Sequence, residues 1–366
     1  MVWGKRKRAG ARYGNPGIVL ELGSRMSGKH ETSRALGSRR SGNPLRMEAL
    51  LYLSFEILLL VSSLSAECTP PGYDAHHRLR GAEPRTGVTS HRLYVLPDGH
   101  LYVYDMDDQH RLLKHLTIPT SRGTRGVVGH AGKHMLYISY GSDGDSGGSL
   151  LAYDLLTDTV AWNRSYGFGI DSHAITPDGR YIYMPSGEAS KSPDWHVIDA
   201  TNGRATGARL RGGPGPHNTL ISLDGRHVYM GARNFANAPT YLTVADTASN
   251  RTCKQIGPFK SGIRPFTIDG FEKLAYVTVT GLLGFQIADI TTGKVVYTQE
   301  LPRTASYTGS TPSAPSHGIA LSPLEDRLAV IDRPNGMVHM FDVTGDLARV
   351  PAKDRGYYVF PIHAPL

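Results

Sequence analysis

Cysteine and tryptophan are scarce in this chain, two and three residues among 366, and the patterns they fail to form exclude several chemistries. Cys68 and Cys253 lie too far apart for a Cys-x-x-Cys redox pair or a zinc finger, and no Cys-x-x-Cys-His haem phrase occurs. They allow one disulfide, and so low a cysteine content neither requires export nor excludes it. Neither a Gly-x-Gly-x-x-Gly fingerprint nor a phosphate-binding Gly-x-x-x-x-Gly-Lys-Ser/Thr loop stands in a suitable context. Gly144-Asp-Ser-Gly-Gly148 reads as a flexible loop, because no partner spacing supports serine-protease chemistry. The longest apolar run, Ala49 to Val61, is too short for a comfortable membrane span and is interrupted by Glu56.

Acidic charge is scarce in the first 46 residues. Residues 1–46 carry 11 Lys and Arg against Glu21 and Glu31, a local +9 that leaves −1 for residues 47–366 of a chain with net charge +8. The body therefore has no composition for specific nucleic-acid binding. Residues 1–46, polar and rich in Gly, Ser and Arg, read as a basic disordered leader or an upstream extension. Residues 47–66 follow with the apolar run and the small-residue end Leu64-Ser65-Ala66, the pattern of an export signal cleaved near Ala66–Glu67. An uncleaved segment would instead anchor the chain, so membrane association through 49–61 is the alternative. A start at Met47 would make a more ordinary precursor. Asn163-Arg-Ser165 and Asn250-Arg-Thr252 fit the N-glycosylation pattern.

What the chain has in abundance is turns and short strands. With 42 glycines and 23 prolines, residues 67–366 suit many short elements better than long helices. Strand phrases ending in aspartate recur at Asp105, Asp154, Asp199, Asp246, Asp289 and Asp342, at intervals of 49, 45, 47, 43 and 53 residues. That period matches a four-stranded propeller blade, and the repeated acid is expected to cap turn amides rather than to catalyse. The phrases Ile175-Thr-Pro-Asp-Gly-Arg-Tyr-Ile-Tyr183, Ile221-Ser-Leu-Asp-Gly-Arg-His-Val-Tyr229, Leu274-Ala-Tyr-Val-Thr-Val279 and Asp289-Ile-Thr-Thr-Gly-Lys-Val-Val296 resemble the YVTN or YncE-like, surface-layer-type β-propeller family over about residues 92–363. The expected fold is all-β, a propeller with six recognisable repeats. The pattern favours an incomplete seven-bladed ring over a closed six-bladed one, since Phe360-Pro-Ile-His-Ala-Pro-Leu366 falls where another blade could begin.

Aligning the repeats puts Arg125, Asp171, His217, Arg264 and His317 near the start of each innermost strand, where propeller symmetry can gather them around a central channel. They are the candidate ligand-binding residues, with the arginines suited to an anionic group and the histidines able to modulate it. His173, His217 and His317 make a poor metal site, because His173 is displaced from the column and two arginines oppose a cation. No metal or cofactor site is assigned. The expected function is an exported, periplasmic or envelope-associated recognition scaffold for a protein or a small anionic ligand, through its central mouth and the loops at 141–149, 186–194 and 304–316. The alternative is a lactonase-like hydrolase acting on a small cyclic ester. It would need calcium or another divalent metal, with Asp171, His217, Asn218 and Asn335 as recruits.

Overall fold

The computed structural model describes residues 68–69, 90–120, 123–234, 239–302, 314–344 and, as backbone, 357–361. The basic leader, the apolar run at 49–61 and most of the 304–316 loop lie outside these residues. Six antiparallel sheets form a six-bladed β-propeller. Blade 1 holds β1 (Arg92–Val95), β2 (His100–Asp105) and β3 (Arg111–Thr117). Blade 2 holds β4 (Gly126–His130), β5 (Met135–Gly141), β6 (Gly148–Asp154) and β7 (Thr159–Ser165), and blade 3 β8 (Ala174–Ile175), β9 (Tyr181–Pro185), β10 (Asp194–Asp199) and β11 (Ala205–Arg211). Blade 4 comprises β12 (Pro216–Ile221), β13 (His227–Ala232), β14 (Thr240–Asp246) and β15 (Arg251–Phe259). Blade 5 comprises β16 (Ile263–Ile268), β17 (Leu274–Val279), β18 (Gly284–Asp289) and β19 (Lys294–Glu300). Blade 6 closes the series with β20 (Ile319–Leu321), β21 (Arg327–Asp332), β22 (Met337–Asp342) and β23 (Tyr357–Pro361).

The sixth blade bears out the six expected repeats and overturns the favoured start of a seventh. Residues 357–361 pair with β22 from Met337↔Pro361 to Phe341↔Tyr357, so they form the fourth strand of blade 6 and do not begin a seventh. The register Arg92↔Asp105 matches Tyr181↔Asp199 and His227↔Asp246, which makes β1 a second strand and β2 a third. Pro97-Asp98-Gly99 thus joins second to third strand, at the opposite end of the blade from Pro177-Asp178-Gly179. Among the described residues, blade 1 shows no innermost strand.

Alternation within each strand places apolar residues on both faces of the sheets, and neighbouring sheets close over them. Five apolar clusters fill the successive interfaces from blades 1/2 to blades 5/6: Leu101, Ile118 and Ile138 in the first, Phe285, Val330 and Phe341 in the last. The innermost strands β4, β8, β12, β16 and β20 neighbour one another in order around the channel.

The repeated aspartates have the structural role expected of them. Asp105, Asp154, Asp199, Asp246, Asp289 and Asp342 each accept a hydrogen bond from a backbone N–H two or three residues ahead. Cys68 and Cys253 form a disulfide that ties the segment ahead of blade 1 to β15. Beside it the Thr69 hydroxyl donates to Asp246 Oδ2 at 2.5 Å. Asn163 is exposed on the outer strand β7, whereas Asn250 is half-buried and accepts from the Tyr183 hydroxyl at 2.9 Å. No helix among the described residues is long and apolar enough to cross a membrane.

Candidate functional site

Each innermost strand begins at the same end of its blade, and the loops joining second to third strands emerge there too. Backbone irregularities aim two of the column residues. His217 sits in the register shift between Pro216 and Asn218, and Arg264 in the shift between Ile263 and Phe266. An extra residue in a strand turns its side chain out of the regular alternation. Gly262 lets the blades approach closely, since a Cβ there would lie 1.4 Å from the Arg233 carbonyl oxygen. That contact brings Arg233, on the loop after β13, beside Arg264.

All five column residues join one network, and its centre is a residue outside the column. Glu188, on the loop between β9 and β10, reaches across the mouth to arginines from three other blades. Arg264 Nη1 donates to Glu188 Oε2 at 2.7 Å, Arg233 Nη1 lies 3.7 Å from the same oxygen, and Arg125 Nη1 lies 3.6 Å from Oε1. Arg125 also donates through Nη2 to Asp143, on the loop between β5 and β6. Arg264 is also anchored by its Nε bond to Thr280 Oγ1 at 3.0 Å, on the loop between β17 and β18.

Beneath this arginine layer, His217 Nδ1 lies 3.0 Å from Asp171 Oδ2, with both side chains essentially sealed from solvent at 1% and 0% exposure. The Asp171 carboxylate also accepts from the backbone N–H groups of Ser172, at 2.8 Å, and Glu188, at 3.2 Å. The rings of His217 and His317 meet with centroids 5.5 Å apart. The network thus spans blades 2 to 6.

The electrostatics follow from burial and neighbours. Burial alone would raise the Glu188 pKa, but the charges of His217, Arg264, Arg233 and Arg125 overcome it and hold the carboxyl at about 2. His317 is depressed to about 3 by burial and by the adjacent charges of His217 and Arg264, so its imidazole is neutral. Burial likewise lowers the Arg264 pKa, against the opposing pull of Glu188.

His173 stands apart. Its Nε2 lies 3.2 Å from the Tyr137 carbonyl oxygen, and burial depresses it to about 4. Among the described residues no three His, Cys, Asp or Glu side chains are grouped to hold a metal ion. Of the residues suggested for a metal-dependent hydrolase, Asn335 donates to Asp332 on blade 6, while Asn218 follows His217 on β12.

Two loops support Glu188. Gly187 has φ +105°, and a Cβ there would lie 2.1 Å from the Asp143 carbonyl oxygen, so glycine is required. Ala189 N–H donates to that carbonyl at 3.0 Å, and Asp145 accepts from Ser190 Oγ at 3.0 Å and from Lys191 N–H at 2.8 Å. The Gly144–Gly148 stretch, read from sequence as a flexible loop, is therefore tied to its neighbour through Asp145. Glu188, Arg233 and Asp143 were not candidates from sequence. The only signal was their position on loops after second strands, and those loops differ in length from blade to blade.

No protein family matches the chain by sequence, and no curated protein does either. Similarity appears at the level of fold. Hydrazine synthase of Kuenenia stuttgartiensis is 15% identical with a TM-score of 0.58, over 72% of this chain and 81% of that one. A functionally unknown protein from Desulfotomaculum acetoxidans is 14% identical with a TM-score of 0.55, over 74% of this chain and 86% of that one. The chain is a β-propeller related distantly in fold to such proteins, and identities this low carry no activity across.

Proposed function

We propose that the chain is an exported recognition propeller of the YVTN type, which binds a small anionic ligand at its central mouth. The observation carrying this reading is the convergence of Arg125, Arg233 and Arg264 from three blades on one carboxylate position. Guanidinium groups converging on one anion are suited to carboxylate or phosphate recognition. Arg125 and Arg233, at 20% and 33% side-chain exposure, form the accessible rim, and Arg264, at 4%, the floor. Export is supported by the disulfide between Cys68 and Cys253, a bond that persists in oxidising compartments. The YVTN assignment is supported by the repeated Asp-Gly and terminal-Asp phrases.

The test is a screen of carboxylates and phosphates by calorimetry on the full chain and on Arg125→Ala and Arg233→Ala variants. Each variant is expected to lose about tenfold in affinity, as when one charge-assisted contact is removed, with folding retained by circular dichroism. Binding unchanged in both folded variants would place recognition elsewhere. A hydrolase reading would rest on the Asp171–His217 pair, in which a carboxylate fixes an imidazole as a general base requires. His217 is 1% exposed, so that pair serves better as a support beneath the arginines.

A further inference from the structure

We propose that Glu188 is a built-in occupant of the mouth, a carboxylate of the protein's own chain that fills the arginine cradle until a ligand carboxylate takes its place. This rests on the reading of the mouth as an anion site and adds both the ligand class and how access is controlled. The geometry supplies three arguments.

The first is chemical. The cradle already holds a carboxylate, with Arg125 on its Oε1 side and Arg264 and Arg233 on its Oε2 side. A planar, two-oxygen group fits between donors arranged on two sides, and a tetrahedral phosphate matches that arrangement less well. Carboxylates are therefore the favoured class over inorganic phosphate.

The second is charge. Arg125, Arg233 and Arg264 all reach Glu188, Arg125 also holds Asp143, and Asp171 is taken by His217. An anion added on top of this set gains little, because the three cations already have carboxylates. An anion that replaces Glu188 keeps every arginine contact and releases a carboxylate to water. Exchange is the low-cost route, and simple addition is not.

The third is mechanical. The backbone on either side of Glu188 is pinned, by Gly187 against Asp143, by the Glu188 N–H on Asp171 and by the Ala189 N–H on Asp143. The Glu188 side chain, in contrast, is 19% exposed. Release needs only rotation about its side-chain bonds, with no loop opening. Closure of the mouth is thus a side-chain event within a fixed frame.

Calorimetric titration of the full chain with sodium acetate, and separately with inorganic phosphate, tests the proposal on wild type, Glu188→Gln, Glu188→Asp and the double variant Glu188→Gln/Arg125→Ala. Glu188→Gln is expected to bind acetate at least tenfold tighter than wild type, and Glu188→Asp, which shortens the acid while keeping its charge, to show a smaller gain. The double variant should lose most of the gain, and phosphate should gain less than acetate. Acetate binding to wild type that is not tightened in either folded Glu188 variant overturns the displacement while leaving the anion-binding mouth intact. Failure of all folded variants to bind either anion overturns both. If Glu188→Gln does not fold, Glu188→Asp decides, and amide exchange at 186–194 in wild type should stay unchanged on adding acetate. Accelerated exchange there would mean the loop opens, contrary to the side-chain mechanism.

Discussion

The propeller carries a polar network at each end of its blades, and the two are built for different purposes. At the mouth, Glu188, Arg125 and Arg233 keep 19–33% of their side-chain surface in solvent, and the contacts of Arg125 and Arg233 with Glu188 are longer than hydrogen bonds. At the opposite end, His227 Nδ1 and the Tyr229 hydroxyl both lie 2.6 Å from Glu272 Oε2, with His227 and Glu272 only 4% and 2% exposed. That second network adjoins the clasp formed by the disulfide and the Thr69–Asp246 bond. A sealed network of short bonds holds elements together; a half-open one of longer contacts can exchange partners. The difference separates a staple from a site more clearly than residue type does, since both ends use histidine and acid.

Removing the staple should have the largest effect. Replacing Cys68 and Cys253 by serine releases a loop of 185 residues, and loss of a native disulfide costs about 2–5 kcal/mol. Denaturant unfolding of the double variant should show it, with acetate binding at the mouth retained at low denaturant. Loss of anion binding along with stability would mean the two ends are not independent. Next in size, Glu272→Ala leaves His227 and Tyr229 without their shared acceptor and should destabilise by about 3 kcal/mol, again without altering the mouth.

Acid and base should separate the ends further. His317, depressed to about 3, contributes stability that is complete above its unfolded value of about 6.5 and is lost as the pH falls toward 3. Glu188, held at about 2, adds a loss as the pH falls below its unfolded value of about 4.5. His227 has the opposite sign. Burial would lower it, but the bond to Glu272 and that residue's charge raise it above its usual value, so its contribution is complete below about 6.5 and fades as the pH rises. His317→Asn should therefore flatten the acid limb of the stability curve by up to one proton, about 1.4 kcal/mol per pH unit, and His227→Asn the alkaline limb. Urea midpoints between pH 4 and 9 would show it; one limb changing in both variants would contradict the separation.

The sequence carries these two ends unequally. Turn-capping aspartates and strand alternation are encoded in neighbouring residues, so six repeats and the all-β fold were readable without the structure. The column of Arg125, Asp171, His217, Arg264 and His317 was readable because it follows blade register, which symmetry converts into proximity. Glu188 was not, since its partners come from blades 2, 4 and 5 and its loop has no counterpart of equal length. Asp98-Gly99 shows the limit of short motifs, because the same dipeptide makes turns at either end of a blade and only strand register tells which. The favoured incomplete seventh blade failed for a related reason: the sequence from Phe360 looks like the start of a unit, and only the pairing of residues 357–361 with β22 assigns that strand to the end of one.

The smallest effect expected is the one that sharpens the comparison most. Arg233 is the most exposed of the three arginines, at 33%, and its 3.7 Å approach to Glu188 is ionic without a short hydrogen bond. Such a pair contributes under about 1 kcal/mol to folding, so Arg233→Ala should shift the unfolding midpoint very little. Arg264, nearly sealed and bonded to both Glu188 and Thr280, should behave as part of the frame, and Arg264→Ala should cost about 3 kcal/mol because it leaves a partly buried carboxylate without its closest cation. The two arginines touch the same Glu188 oxygen yet divide between recognition and support. A calorimetric and denaturant series on both variants reads that division directly: Arg233→Ala losing affinity with stability kept, and Arg264→Ala losing stability first. Equal destabilisation by the two would show that the mouth is a staple like its counterpart at the other end of the blades.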